Sequence, residues 1–170
     1  MSLEIMKATI EMADEIAAIG FLSWNAAYKG IVPDDSLAAY TPEKRADSLR
    51  KAILCRPEEY YVFKSDGISI GFAILGSPQD SWPTNEIGEI HAIYFTPDSW
   101  GQGYAKEAIS FCISRLKELG YLQVILWVLT ANQRARCFYE KYGFEVMERQ
   151  REILIGIPLT EICYSLVFSS

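Results

Sequence analysis

Gly101-Gln102-Gly103 stands between a strand-like run, Ile87 to Phe95, and a periodic helical run that begins near Ala105. A glycine turn at such a junction clears Cβ atoms from the path of a diphosphate. The first-turn N–H groups and the positive end of the helix dipole are then free to meet it. The Lys-Ser/Thr ending of a nucleotide triphosphate loop is missing here. The turn also comes late in the chain, after three strand-like runs, and not in the first βα unit as in a dinucleotide fold. Glu89 and His91 alternate along the strand leading to Ile93, so all three are expected on one face. A partly buried carboxylate there would have a raised pKa and could take a proton directly or through water, while an imidazole has the better intrinsic pKa for a base.

Other chemistries find little support. The four cysteines, Cys55, Cys112, Cys137 and Cys163, form no Cys-x-x-Cys pair and lie near no histidine at ligand spacing, so neither a metal site nor a disulfide framework is expected. Cys112 falls on an apolar helix face and should behave as a small hydrophobe. A net charge of −6 disfavours a nucleic-acid partner. The strongest basic cluster, Lys44, Arg45, Arg50 and Lys51, is expected to be a solvated helix face. No apolar run approaches a membrane span and no signal peptide opens the chain, so the expected location is cytoplasmic.

The elements that must position these residues follow from periodicity. Leu3 to Ala8 alternates as a strand, and Met12 to Lys29 reads as a helix closed by Gly30. Pro33-Asp34-Asp35 reads as a turn, and Thr41-Pro42 as the cap and first residue of a helix to about Leu54. Strands at Tyr60 to Phe63 and Ile68 to Leu75 flank the hairpin signal Ser65-Asp66-Gly67. A loop from Gly76 to Asn85 precedes the strand Ile87 to Phe95. After the glycine turn, Ala105, Ala108, Ile109, Cys112, Ile113, Leu116 and Leu119 share one helix face. Gln123 to Val128 reads as a buried parallel strand, and Asn132 caps a helix to Tyr142. Two strands, near Phe144 to Ile153 and Glu161 to Phe168, end the chain. The order β-α-α-β-β-β-α-β-α-β-β predicts one α/β domain over residues 1–170: a mixed β-sheet with helices on both faces and a right-handed β-α-β crossover in the middle.

Two segments carry a resemblance. Gly88-Glu89-Ile90-His91-Ala92-Ile93-Tyr94-Phe95-Thr96-Pro97-Asp98-Ser99-Trp100-Gly101-Gln102-Gly103-Tyr104-Ala105 resembles the acetyl-CoA motif of the GNAT superfamily of N-acetyltransferases, Arg/Gln-x-x-Gly-x-Gly/Ala. Asn132-Gln133-Arg134-Ala135-Arg136-Cys137-Phe138-Tyr139-Glu140-Lys141-Tyr142-Gly143-Phe144 is similar to that family's Asn-x-x-Ala-x-x-Phe-Tyr-x-x-x-Gly-Phe helix. Trp100 departs from the pattern, standing where the family has Arg or Gln; an indole there could cover the cofactor's edge.

The resemblance implies an acyltransferase that moves an acetyl group from acetyl-CoA, as co-substrate and without a metal, to a primary amine of a small molecule by direct attack in a ternary complex. It implies backbone pairing of the pantetheine arm with Ile93 and Phe95, which requires the sheet to splay there. An N–H near Ile93 or Tyr94 would meet the developing oxyanion. Gly101, Gln102, Gly103, Tyr104, Ala105 and Lys106 would surround the diphosphate. Asn132 would contact the pantetheine or serve only as a cap, and Ala135 and Phe138 would line the groove, Phe138 also as core. Tyr139 matches the family's tyrosine beside the sulfur, placed to protonate the departing thiolate, with core packing as the competing role. Glu89 is the first candidate for the base and His91 the second. Trp24 and Tyr28 lie at i, i+4 in a segment that resembles the acceptor wall, although core packing explains them equally. A protein N-terminal or lysine acetyltransferase and a non-catalytic acyl-CoA-binding module are the alternatives, and a homodimer through the last strands is compatible with either.

Overall fold

The computed structural model describes residues 2–169. In chain order the elements are β1 (Glu4–Lys7), α1 (Ala13–Tyr28), α2 (Asp34–Ala39), α3 (Pro42–Cys55), β2 (Glu59–Ser65), β3 (Ile68–Gly76), β4 (Ile87–Phe95), α4 (Tyr104–Glu118), β5 (Gln123–Leu129), α5 (Gln133–Lys141), β6 (Glu145–Ile155) and β7 (Ile157–Val167). Single 3-10 turns, Ile10–Met12 and Pro97–Ser99, precede α1 and follow β4. The seven strands form one sheet in the order β1-β2-β3-β4-β5-β7-β6, antiparallel throughout except for β4 beside β5. This is the mixed α/β architecture expected from the element order.

Alternation along the strands builds two faces. Phe63, Ala73 and Leu75 pack with Ala108, Ile109, Cys112 and Leu116 of α4 on one side. Val62 and Phe72 pack with Ile16 and Ile19 of α1 on the other. Each such fully buried aliphatic side chain contributes about 1.5–3 kcal/mol, so α4 is anchored chiefly by its apolar stripe. Cys112 sits in that stripe, and burial pushes its thiol up to about 12. Among the described residues no helix is long and apolar enough to cross a membrane.

Two expectations are corrected. Pro33-Asp34-Asp35 opens the short helix α2 and is not a plain turn. Asp34 and Asp35 complement the helix dipole from its first turn, and Leu37 is buried with Tyr28, Val32 and Leu129. Six residues are too few for a helical period to be recognised. The basic face of α3 is not wholly solvated either. Arg50 pairs with Asp14 and Asp47 at the surface, but Arg45 turns inward onto the rings of Trp24 and Tyr40.

One ion pair ties α4 to the sheet. Arg115 donates from Nε and Nη2 to Glu59, both at 2.8 Å, and Tyr61 also donates to this carboxylate. The Arg115 guanidinium holds Glu59 at about 2, below its ordinary 4.5. A depressed carboxyl pKa stabilises the fold above 4.5, and that contribution is lost as pH falls through about 2. Thermal unfolding followed between about pH 7 and 2 should therefore show Glu59→Gln melting lower at neutral pH. The variant should also lose less of its melting temperature on acidification than the parent. Equal slopes would mean that the pair adds nothing to stability.

Candidate active site

The sheet opens at its middle. β4 and β5 pair only at Ile87–Gln123, Gly88–Val124 and Glu89–Ile125, and past those residues the strands diverge. The splay required for an inserted chain is thus present. On its other edge β4 follows β3 in register from Ala92–Ile74 to Phe95–Gly71, and Thr96 N–H donates to the Ile70 carbonyl at 2.8 Å. Because antiparallel pairs alternate between bonded and non-bonded, Ala92 and Tyr94 face β3. Ile93 and Phe95 therefore point their backbone groups into the gap. The Phe95 carbonyl is already taken by the Trp100 indole N–H at 3.0 Å. That leaves the Ile93 N–H and C=O and the Phe95 N–H without a strand partner among the described residues. Tyr94, expected as a backbone contributor, cannot be one.

The glycine turn closes one end of the gap. Gly101 and Gly103 have φ of +77° and +87°, left-handed values that strain any residue with a Cβ, and the space beside both is open. Gly103 caps α4 with no side-chain partner, so the first-turn N–H groups face outward, although Lys106 N–H reaches back to the Gly103 carbonyl at 3.2 Å. The side chains around this turn are mostly committed elsewhere. Gln102 donates to the Asp98 carbonyl at 2.7 Å, and Tyr104 is buried with its hydroxyl 2.9 Å from Ser65 Oγ. Lys106 is exposed and Ala105 lines the cleft.

The resulting cleft holds about 200 Å³. Its walls include Ile93 and Phe95 on one side and Asn132, Ala135, Phe138 and Tyr139 on the other. Asn132 serves as the helix cap, accepting from Ala135 N–H at 3.2 Å, and it also lines the cleft. Tyr139 is buried, with rings of Phe138 and Phe144 edge-on at 5.3 and 5.6 Å. Burial and the neighbouring Tyr94 and Cys112 raise its phenol pKa well above the usual value, so the phenol keeps its proton at neutral pH. Also in the wall, Tyr28 and Tyr94 bring their hydroxyls to 3.3 Å, and burial followed by Tyr94 raises Tyr28 likewise. Trp24 stands behind, its ring edge-on to Tyr28 at 5.1 Å.

The two base candidates part company. Leu75 pairs with Ile90 and Ile74 with Ala92, leaving His91 as the extra residue of a β-bulge. The bulge reverses the alternation: Ile93 joins Ile90 in the α4-side cluster, and Ala92 and Tyr94 join the α1-side cluster. Glu89 and Ile93 therefore lie on opposite faces, contrary to the strict alternation expected. His91 lines the cleft, and its Nε2 lies 2.8 Å from the Ser77 carbonyl. A carbonyl only accepts, so Nε2 carries the hydrogen and Nδ1 is left with the lone pair of the neutral ring. Glu89 is 3% exposed, outside the cleft wall, with Gln79 N–H donating to it at 3.1 Å. Burial raises its pKa, and the nearby His91 is the strongest influence in the opposite direction.

Sequence reasoning missed three contributors: the Tyr94 side chain, Trp127 and Arg134, all in the cleft wall. Arg134 lies over the Trp100 ring at 3.8 Å and pairs with no carboxylate among the described residues. Its place two positions after the Asn132 cap was the available signal. The bulge that swings Tyr94 inward left none.

The site is thus a sheet split beside a glycine-capped helix, with a buried phenol in the gap. The "Acetyltransferase (GNAT) family" model matches residues 15–144. The chain belongs to that family and is an N-acetyltransferase, an acyltransferase. Among relatives, the uncharacterized N-acetyltransferase MJ1207 of Methanocaldococcus jannaschii is 32% identical over 114 residues, 64% of this chain and 49% of that protein. This chain thus spans about half the length of that relative. The uncharacterized N-acetyltransferase Rv2669 of Mycobacterium tuberculosis is 27% identical, covering 79% of this chain and 83% of its own. The PaiA N-acetyltransferase of Thermoplasma acidophilum, crystallised with coenzyme A, shares the fold at a TM-score of 0.76 and 21% identity over 99% of this chain and all of its own.

Proposed function

We propose that the chain transfers the acetyl group of acetyl-CoA to a primary amine of a small molecule by direct attack within a ternary complex. The observation that carries this reading is the divergence of β4 and β5 past Glu89 and Ile125, with the Ile93 N–H and C=O turned into the gap and Tyr139 opposite. The coenzyme A and acetyl-CoA bound in structures of the same fold support the choice of carrier.

In this reading Ile93 and the Phe95 N–H hold the pantetheine arm as an added strand, and the turn from Gly101 to Lys106 receives the diphosphate on backbone N–H groups. Arg134 supplies the cation that Trp100 lacks, kept in place by the indole beneath it. When bound, acetyl-CoA supplies an acetyl group on a thiolate leaving group. The Ile93 N–H stabilises charge developing on the acetyl oxygen. His91 Nδ1 takes a proton from the amine, with Glu89 behind it acting through its charge, and Tyr139 returns a proton to the thiolate. The loop Ser77 to Asn85 favours a pocket for a small acceptor over an open peptide groove. It is pinned to β6 by Arg151 on Asp80 at 2.8 Å and by Arg149 over Trp82 at 4.0 Å.

A thiol-release assay with acetyl-CoA against amines, amino acids, aminoglycosides and short peptides tests the activity. Acetyl-CoA is also expected to raise the melting temperature, whereas ATP and NAD should not. Gly103→Val should abolish that rise, since a β-branched residue resists the left-handed backbone that aims the N–H groups. A full response to acetyl-CoA in a folded Gly103→Val would remove the turn from the site.

A further inference from the structure

Ser99 and Ser23 are both buried, and they differ in one respect. Ser99 Oγ lies 2.7 Å from Thr96 Oγ1, whereas the Ser23 side chain, in a residue 3% exposed, makes no hydrogen bond among the described residues. A serine inside a helix commonly bonds back to the carbonyl one turn earlier, as Ser48 does to Lys44 at 3.1 Å. Ser23 does not. The polar atoms that are both unpartnered and sealed lie elsewhere: Arg45 Nε, Glu58 Oε2 and the indole nitrogens of Trp82 and Trp127. The Ser23 hydroxyl is not one of them, and Ser23 lines the cleft. Ala27, one turn later on the same face of α1, and then Tyr28 continue that wall. Tyr94, on the side of β4 that packs against α1, brings its hydroxyl to 3.3 Å from that of Tyr28. Two phenols that share one hydrogen bond use one proton between them, so one phenolic O–H is left over. Ser23 and the phenol pair thus offer two O–H donors. Among the described residues that line the cleft there is no carboxylate, and the one guanidinium, that of Arg134, lies on the Trp100 ring.

Resting on the transfer reaction above, we infer that Ser23 reads an uncharged oxygen, a hydroxyl or a carbonyl, on the amine acceptor, with the Tyr28–Tyr94 pair as the second donor. A buried hydroxyl without a partner is costly, and a ligand oxygen at Ser23 removes that cost in the complex. A carboxylate would enter this part of the cleft with no cation to pair with. A second ammonium would enter with no carboxylate to receive it. Burying either charge unpaired costs far more than burying a neutral group that is hydrogen-bonded. The acceptor class is therefore a monoamine with a neutral oxygen function, an amino alcohol or an amino amide.

Matched sets test this in the thiol-release assay: each alkylamine against the amino alcohol, amino amide, amino acid and diamine of the same chain length. The amino alcohol or the amino amide should have the highest kcat/KM, about tenfold above the alkylamine, and which of the two leads tells a hydroxyl from a carbonyl. Ser23→Ala should bring that acceptor and the alkylamine within about twofold of each other. As a measurement independent of turnover, the N-acetyl amino alcohol or amide should raise the melting temperature of the coenzyme A complex more than the N-acetyl alkylamine does. Ser23→Ala should lose that difference. Without ligands Ser23→Ala should melt no lower than the parent, because alanine suits a helix better and leaves no hydroxyl unpartnered. A lower melting temperature would give the hydroxyl a structural role and overturn the proposal. A preference for the amino acid, the diamine or the alkylamine overturns it as well, and so does an oxygen preference that persists in Ser23→Ala. Silence of every amine, with the oxygen-dependent thermal shift intact, would overturn the proposed transfer reaction and support the oxygen site.

Discussion

Tyr139→Phe is expected to lower kcat about 10²-fold or more while KM for the amine and affinity for acetyl-CoA stay near the parent values. The substitution removes one oxygen and keeps the ring that packs against Phe138 and Phe144. The phenol is held protonated by burial, so at neutral pH it is a donor and not a phenolate. It borders the gap into which the Ile93 backbone also turns, which is where a thiolate would leave. Deleting the donor should then slow a step made only in the transition state, so kcat and kcat/KM should fall together. Pre-steady-state thiol release separates chemistry from product release. Unchanged turnover in a chemistry-limited reaction would return Tyr139 to the core.

His91→Ala is expected to lower kcat/KM for the amine by about 10²-fold and to abolish the acidic limb of its pH profile. The lone-pair nitrogen left by the Ser77 hydrogen bond is the cleft's only imidazole acceptor, since the chain has one histidine. Glu89→Gln should act differently. Glu89 lies outside the cleft wall and would act on His91 only through its charge, so Glu89→Gln should lower kcat/KM less than His91→Ala does and leave the acidic limb in the profile. Thermal response to acetyl-CoA should survive in both variants. A limb that persists in His91→Ala and disappears in Glu89→Gln would make the buried carboxylate the base, reached through water.

The elements, their order and the glycine turn were legible in the sequence because each has a local cause. Thr41 and Asn132 cap their helices through bonds to Lys44 and Ala135, three residues on in each case, and the stripe of α4 repeats with the helical period. Gly103 needs a left-handed backbone wherever the helix is placed. Tyr139 and Asn132 share a face of one short helix, so their common approach to the cleft is also a local matter. Only the tertiary structure decided which other side chains meet there. The bulge at His91 depends on how β3 pairs with β4, and that single extra residue moved Glu89 behind the wall and brought Tyr94 into it. Arg45 read as one more solvated charge until α3 packed on α1 and set it between Trp24 and Tyr40. Trp100 read as a departure from a motif until α5 laid Arg134 across its ring. These contacts join residues far apart in the chain, so no period or spacing encodes them; they arise only when the sheet's register and the packing of its helices are set together.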